Sequence, residues 1–190
     1  MLRIIVGISG ASGIVYGFRL LEKLRFAKNA ETHLVMTRSA ERTAYLEMGK
    51  SIQEFKQLAD HCYPIEDVGS QLASGSFQTD GMIIAPCSVH TMSAIASGIS
   101  SNLLIRAADV VLKERRRLIL MVRETPFHLG HLRTMTSLSE MGAIIAPPIP
   151  GFYNQPKSVM DLVDSSVERV MDLIGLPTED AKRWNGGKPE

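Results

Sequence analysis

The sequence predicts an α/β protein: a doubly wound parallel sheet with helices on both faces, a three-layer sandwich. Two observations predict the class. Short apolar runs alternate with amphipathic helical stretches along the whole chain, the signature of parallel strands joined by helical crossovers. The chain has 190 residues, 45% of them hydrophobic and 22% charged, which suits a single soluble domain with a substantial core.

In chain order, Leu2–Ile8 is an apolar run that reads as a buried strand, and apolar residues then recur at helical spacing over Gly13–Arg25. A second strand is expected near Thr32–Met36, followed by helices near Ser39–Glu47 and Ser51–Ala59. The apolar run Gly81–Ala85 is the third strand, with helices near Val89–Ser97 and Leu103–Lys113. Leu118–Val122 and Ala143–Ala146 complete the strands, and His128–Met141 and Ser158–Ile174 the helices. Two irregular stretches stand out, the Gly/Ser-rich connection Cys62 to Thr79 and the Pro/Gly-rich segment Pro147 to Pro156. Long loops inside compact domains tend to be functional. One domain is expected over 1–190, with the tail at about 177–190, which carries the sole tryptophan, docking on a neighbouring subunit.

Gly7-Ile8-Ser9-Gly10-Ala11-Ser12-Gly13 is the most informative segment, because strand, glycine-rich turn and helix together aim backbone N–H groups and a helix dipole at a phosphate. Its G-x-x-G-x-x-G spacing is neither the dinucleotide fingerprint nor the Walker pattern. A nicotinamide site would also want an acid ending the second strand, to hold ribose hydroxyls. That strand ends instead in Thr37-Arg38-Ser39, whose hydroxyls and cation favour a mononucleotide phosphate such as that of FMN. Ligands of open parallel sheets collect beyond the carboxyl ends of the strands. Here those ends are Ser9–Ser12, Thr37–Ser39, Pro86–Thr91, Arg123–Glu124 and Pro147–Tyr153.

Composition excludes other classes. A net charge of +1 gives no reason to expect nucleic acid or an acidic membrane, and the basic run Lys113 to Arg117 reads as cations at a helix end. Two cysteines, Cys62 and Cys87, form no disulfide framework and fit a reducing cytoplasm. No apolar run approaches membrane-span length and no signal-peptide pattern opens the chain, so a cytoplasmic protein is expected. His128 and His131 could offer two ligands to zinc, but no Cys, Asp or Glu completes a recognisable set, so no metal is expected. His33 and His61 read as structural or exposed. Cys87 reads as a small buried apolar group rather than a nucleophile.

Gly10-Ala11-Ser12-Gly13, Ser74-Gly75-Ser76-Phe77, Ala85-Pro86-Cys87-Ser88, Arg106-Ala107-Ala108-Asp109-Val110 and Leu112-Lys113-Glu114 resemble the UbiX family of flavin prenyltransferases. So do Arg123-Glu124, Pro126-Phe127, His131-Leu132, Gly151-Phe152-Tyr153-Asn154-Gln155-Pro156 and the tail pair Arg183-Trp184, in consistent order over nearly the whole chain. Val122 and Arg133-Thr134 depart from the family pattern. The resemblance implies a Rossmann-like, flavodoxin-like sheet and an enzyme that joins a dimethylallyl group from dimethylallyl monophosphate to reduced FMN, without a metal. It further implies that the product, prenylated FMN, serves a UbiD-type decarboxylase, and that the protein is a homo-oligomer, commonly a dodecamer.

Carried over by position, the resemblance assigns FMN binding to Ser9, Gly10, Ala11, Thr37, Ser88, Val89, His90, Thr91 and Arg123. It places the prenyl phosphate on Tyr153 and Arg169, with Lys113 and Arg123 nearby, and the flavin's reacting edge beside Ser12 and Glu47. Glu124 positions the phosphate network, and Trp184 closes over the prenyl group. The chemistry is coherent: a monophosphate leaving group without a metal needs cations and donors around it, and ring closure onto the flavin needs a proton relay such as Glu47 with Ser12. Two other readings compete. One is a flavin-dependent cysteine decarboxylase, which would want an active-site His early in the chain, absent here. The other is a non-catalytic flavin subunit of a hydroxyarylic acid decarboxylase, which would not need Tyr153, Arg169, Lys113 and Glu47 together.

Overall fold

A computed structural model describes residues 1–27, 29–178 and 186. Six strands form one sheet: β1 (Leu2–Ile8), β2 (Ala30–Met36), β3 (His61–Tyr63), β4 (Gly81–Cys87), β5 (Arg117–Val122) and β6 (Ile144–Ile145). Their order is β3-β2-β1-β4-β5-β6, and every pairing is parallel. The chain winds outward from β1 to one side and then restarts at β4 to wind to the other. The topological switch therefore lies between the carboxyl ends of β1 and β4, where such sheets hold ligands.

The helices are α1 (Ile14–Phe26), α2 (Arg38–Met48), α3 (Ile52–Lys56), α4 (Val89–Ala96), α5 (Leu103–Lys113), α6 (Leu129–Glu140) and α7 (Val159–Ile174). Alternation along each strand divides the core between the two faces. Ile4, Val6 and Ile8 of β1, Ile83 of β4 and Met121 of β5 meet apolar residues of α1, α2 and α7. Ile5, Met82, Ile84, Leu118 and Leu120 meet α4 and α5 from the other face. All seven residues of β4 are buried, as the central strand of a sheet covered on both faces must be. Among the described residues no helix is long and apolar enough to cross a membrane.

Three expectations change at the sheet edges. The segment from Cys62, expected to be an irregular connection, begins within β3, and a 3-10 turn forms at Gln71–Ala73. Three residues carry no detectable alternation, and β3 is defined only by its pairing with β2. The helix expected over Ser51–Ala59 contracts to the five residues of α3, and the last strand to two residues that pair with β5 alone.

One contact fixes the crossing of α1 over the switch point. A Cβ on Gly17 would lie 2.3 Å from the Ala85 carbonyl oxygen and 2.8 Å from Ile8 Cδ1. Overpacking of this kind costs about 1–3 kcal/mol, and alanine's better helix propensity offsets up to about 1 kcal/mol of it. Gly17→Ala should therefore destabilise the protein by about 1–2 kcal/mol. Thermal unfolding checks this, and an unchanged or higher midpoint would show that α1 can lift off β4.

The basic run has a structural use. Arg115 takes a left-handed φ of 59° after α5 ends, and the Arg116 guanidinium donates to the Gly75 and Phe77 carbonyls and to Thr79. It clamps the loop before β4.

Candidate active site

Three helices begin around the crevice, and each is capped by a side chain from the residue before it. Thr37 Oγ1 accepts from Ala40 N, Ser88 Oγ from Thr91 N, and Asn102 Oδ1 from Ile105 N. Thr37, Ser88 and Asn102 all line one cavity of about 720 Å³, together with Gly10, Ser39, His90, Thr91 and Ser100. That volume is in the range of small-molecule sites. The amino ends of α2, α4 and α5 give it positive potential, which favours a phosphate. Arg38 and Glu66, an ion pair at 2.5 Å, stand at its wall. Gly10 is required here because the chain approaches α2 closely: a Cβ would fall 2.4 Å from the Ser39 side chain.

Ser9 has a structural use beside the expected one. It is 1% exposed; its hydroxyl donates to the Pro86 carbonyl at 2.9 Å and accepts from Ser88 N at 2.7 Å. It locks the end of β1 to the end of β4 and so shapes the cavity from behind. Ala11 is half-buried in the turn, Val89 is half-buried, His90 is exposed, and Thr91 is buried with its hydroxyl accepting from Ser88 Oγ at 3.1 Å.

The start of α1 is a correction to the sequence reading. The Gly13 and Ile14 N–H groups donate to the Glu47 carboxylate at 2.9 and 3.0 Å, so these donors already hold an anion of the protein's own. Gly13 is the N-cap, with φ 94°, and the Ser12 hydroxyl turns to Glu47. Burial would raise the Glu47 carboxyl, but the bonds from Ser12, Ile14 and Gly13 and the Arg123 charge outweigh it and hold it below the ordinary carboxylate range. Arg123, at the end of β5, reaches the same spot: its Cγ is 3.9 Å from the Cβ position of Gly13. Its charge also acts on the Tyr16 hydroxyl, whose pKa burial nevertheless raises. One face of the glycine turn thus presents a hydroxyl-lined cavity, and the other an ionised carboxylate bonded to a hydroxyl, with the Arg123 charge acting on it.

The remaining candidates stand on separate elements. Glu124 is half-buried beside Arg123 and accepts from Thr125 N at 2.9 Å. Tyr153 is 55% exposed in the 3-10 turn Phe152–Asn154, its ring against Gly151. Arg169 is exposed on α7, on the flank turned away from Asp164 and Glu168, which pair with Arg19 and Lys23 of α1. Lys113 ends α5 next to Gly75 and Glu114. It therefore lies at the amino edge of the strands, opposite the crevice, because a crossover helix runs antiparallel to the strands it joins. Trp184 lies outside the described residues, as does nearly all of the 177–190 tail.

Sequence reading missed Asn102 and Tyr16. An Asn directly before the apolar helical run from Leu103 was the available signal for the first. Tyr16 gave none, since an aromatic in an amphipathic helix reads as core.

Cys87 is fully buried, and burial pushes its thiol up to about 12. It should resist alkylation at neutral pH while exposed Cys62 reacts. Mass spectrometry after iodoacetamide treatment should show one adduct per native chain, and an adduct on Cys87 would revive the nucleophile reading.

Comparisons with known proteins show the family. The family model described as Flavoprotein matches residues 1–171. A flavin prenyltransferase UbiX from Thauera aromatica is 53% identical over 98% of this chain and 96% of its own length. The UbiX of Escherichia coli K12 is also 53% identical, over 98% of this chain and all of its own. Among solved structures, a UbiX protein in complex with FMN and dimethylallyl pyrophosphate superposes with TM-score 0.96 at 46% identity, covering 98% of this chain and 99% of that one. A dodecameric FMN-dependent UbiX-like decarboxylase from Escherichia coli O157:H7 gives 0.95 at 46% identity, over 97% and 100% of the two chains.

Proposed function

This chain belongs to the UbiX family of flavin prenyltransferases, within the flavoproteins, and from that membership we propose how its residues divide the work. The enzyme joins a dimethylallyl group, delivered as dimethylallyl monophosphate, to reduced FMN. The observation that carries the assignment of roles is the two-sided glycine turn, with the cavity of capped helix starts on one side and Glu47, Ser12 and Arg123 on the other.

Reduced FMN supplies the electron-rich ring that accepts the allyl group. The amino ends of α2 and α4, with Thr37, Ser88 and Thr91, hold its phosphate. Ser9 holds the β1 and β4 ends at the spacing this requires. As the allylic C–O bond breaks, the phosphate takes the electron pair, and Arg123, Arg169 and the Tyr153 hydroxyl meet its charge. Glu47, ionised at neutral pH, serves as the base. Ring closure moves one proton from the alkylated flavin carbon to the former allyl double bond, and Glu47 relays it through the Ser12 hydroxyl.

The working form we propose is a homo-oligomer, a dodecamer like its structural relative from Escherichia coli O157:H7, acting in the cytoplasm and passing prenylated FMN to a UbiD-type decarboxylase. Exposed apolar side chains on the first turn of α6 and between residues 149 and 160, among them Leu129, Ile149, Phe152 and Val159, support association. Lys113 can serve the phosphate only from a neighbouring copy.

The test is anaerobic incubation of the purified protein with reduced FMN and dimethylallyl monophosphate, reading the flavin by mass spectrometry, with the diphosphate and NAD in parallel. A flavin one five-carbon unit heavier is expected with the monophosphate. An unaltered flavin would overturn the reading.

A further inference from the structure

Glu31, His33 and His61 bring three metal-ligating atoms together on the amino half of β2 and β3, away from the crevice. The sheet itself makes the grouping. Glu31 and His33 are two apart on β2 and share a face, and His61 is the register partner of His33 on β3. Glu31 Oε1 lies 3.2 Å from His33 Nε2 and 3.3 Å from His61 Nε2. Ligands held about 2.0–2.1 Å from a tetrahedral zinc ion are separated by about 3.3 Å.

From this geometry we propose that Glu31, His33 and His61 form a zinc-binding site that bridges the edge strand β3 to β2. The nitrogen of His33 is the independent observation. His33 is fully buried, and its Nε2 has no partner of full hydrogen-bond geometry, only the Glu31 carboxylate at 3.2 Å. A buried ring nitrogen without such a partner is costly. The other nitrogen, Nδ1, is 2.9 Å from the Tyr63 hydroxyl, which Gln71 Nε2 also approaches at 2.5 Å. With the Nδ1 proton given to Tyr63, the Nε2 lone pair faces Glu31 and His61, the outer-shell arrangement common to zinc-bound histidines.

Glu31 is held in the same way. Its Oε2 accepts from Arg3 Nε at 3.0 Å, and Oε1 stays turned to the histidines. The two imidazoles stack at 4.8 Å and 21°, so the His61 ring must turn about its Cβ–Cγ bond to aim its lone pair at a shared ion. With its side chain 50% exposed on a three-residue edge strand, His61 has that freedom. Water completes the fourth position on the exposed side. The site is separate from prenyl transfer; its effect is to fasten β3 and the loop that follows it.

The test uses the full chain, stripped with a chelator and titrated with zinc against a chromophoric competitor, then with Co²⁺ for its visible spectrum. One equivalent per chain, a four-coordinate Co²⁺ spectrum and a higher unfolding midpoint with zinc are expected. His61→Ala, at an exposed position that leaves the fold intact, should weaken binding roughly tenfold or more. Cys62→Ser and His128→Ala should not weaken it, since strand alternation turns the Cys62 side chain to the other face and His128 caps α6. Absence of binding at micromolar zinc, or binding that His61→Ala leaves unchanged, would overturn the site.

Discussion

Arg169→Ala should lower prenyl transfer by roughly ten- to a hundredfold while leaving FMN affinity nearly intact. A charge-assisted hydrogen bond to a bound anion contributes about 1.5–3 kcal/mol, and about 1.4 kcal/mol is a factor of ten in rate. Arg169 stands on α7, whereas the cavity that fits the flavin phosphate is built from α2, α4 and α5. In the proposed division the two phosphates draw on different elements, and the variant separates them. Tyr153→Phe should cost less, because it removes one neutral donor and keeps the ring. Flavin titration and single-turnover prenylation of each variant are the measurements. Wild-type turnover in Arg169→Ala would remove the prenyl-phosphate role, and a parallel loss of FMN affinity would move Arg169 to the flavin.

The difference between what the sequence disclosed and what it hid follows the range of the interactions. Leu2–Ile8 and Leu103–Lys113 are found at the residues expected, because continuous apolar runs and helical spacing are local signals. The Thr37 and Ser88 caps are equally local: a hydroxyl before an apolar helix start reads directly as a donor-rich end. The Glu47 bond to the start of α1 is not, because it joins positions 34 residues apart through a turn. From sequence alone the glycine turn looks like a vacant phosphate cradle, and only the fold shows part of it already filled by a carboxylate. The histidine pair His33 and His61 is hidden for the same reason. One sits in an apolar strand and the other in what reads as loop, and they become neighbours only when β3 pairs with β2. Lys113 shows the converse. The resemblance puts it at the phosphate, and within one chain the direction of α5 carries it to the far edge of the sheet, so that role needs a neighbouring copy.

The largest effect is expected at Glu47, where the proposed chemistry uses the carboxylate that holds the start of α1. Glu47→Gln retains the size and one acceptor, so α1 keeps a partner for its first N–H groups, and the stability loss should be about 1 kcal/mol, the scale of an N-cap. What the amide cannot do is take a proton. If Glu47 with Ser12 is the relay, turnover should fall by about 10²–10⁴-fold, the usual worth of a positioned acid–base group, with FMN affinity kept. The pH dependence gives a second, independent readout. The folded-state pKa of Glu47 is lowered from the ordinary 4.5, so its contribution to stability is fully present above that value and is lost as pH falls through the lower folded value. Wild-type protein should therefore lose stability in acid faster than Glu47→Gln, and the two unfolding midpoints should converge there. Thermal unfolding across the acid range and single-turnover prenylation at neutral pH test the two halves separately. Full turnover in Glu47→Gln with the acid convergence intact would leave Glu47 as a helix cap alone. Loss of turnover together with loss of FMN binding would mean that the capped turn, rather than the proton, is what the reaction needs.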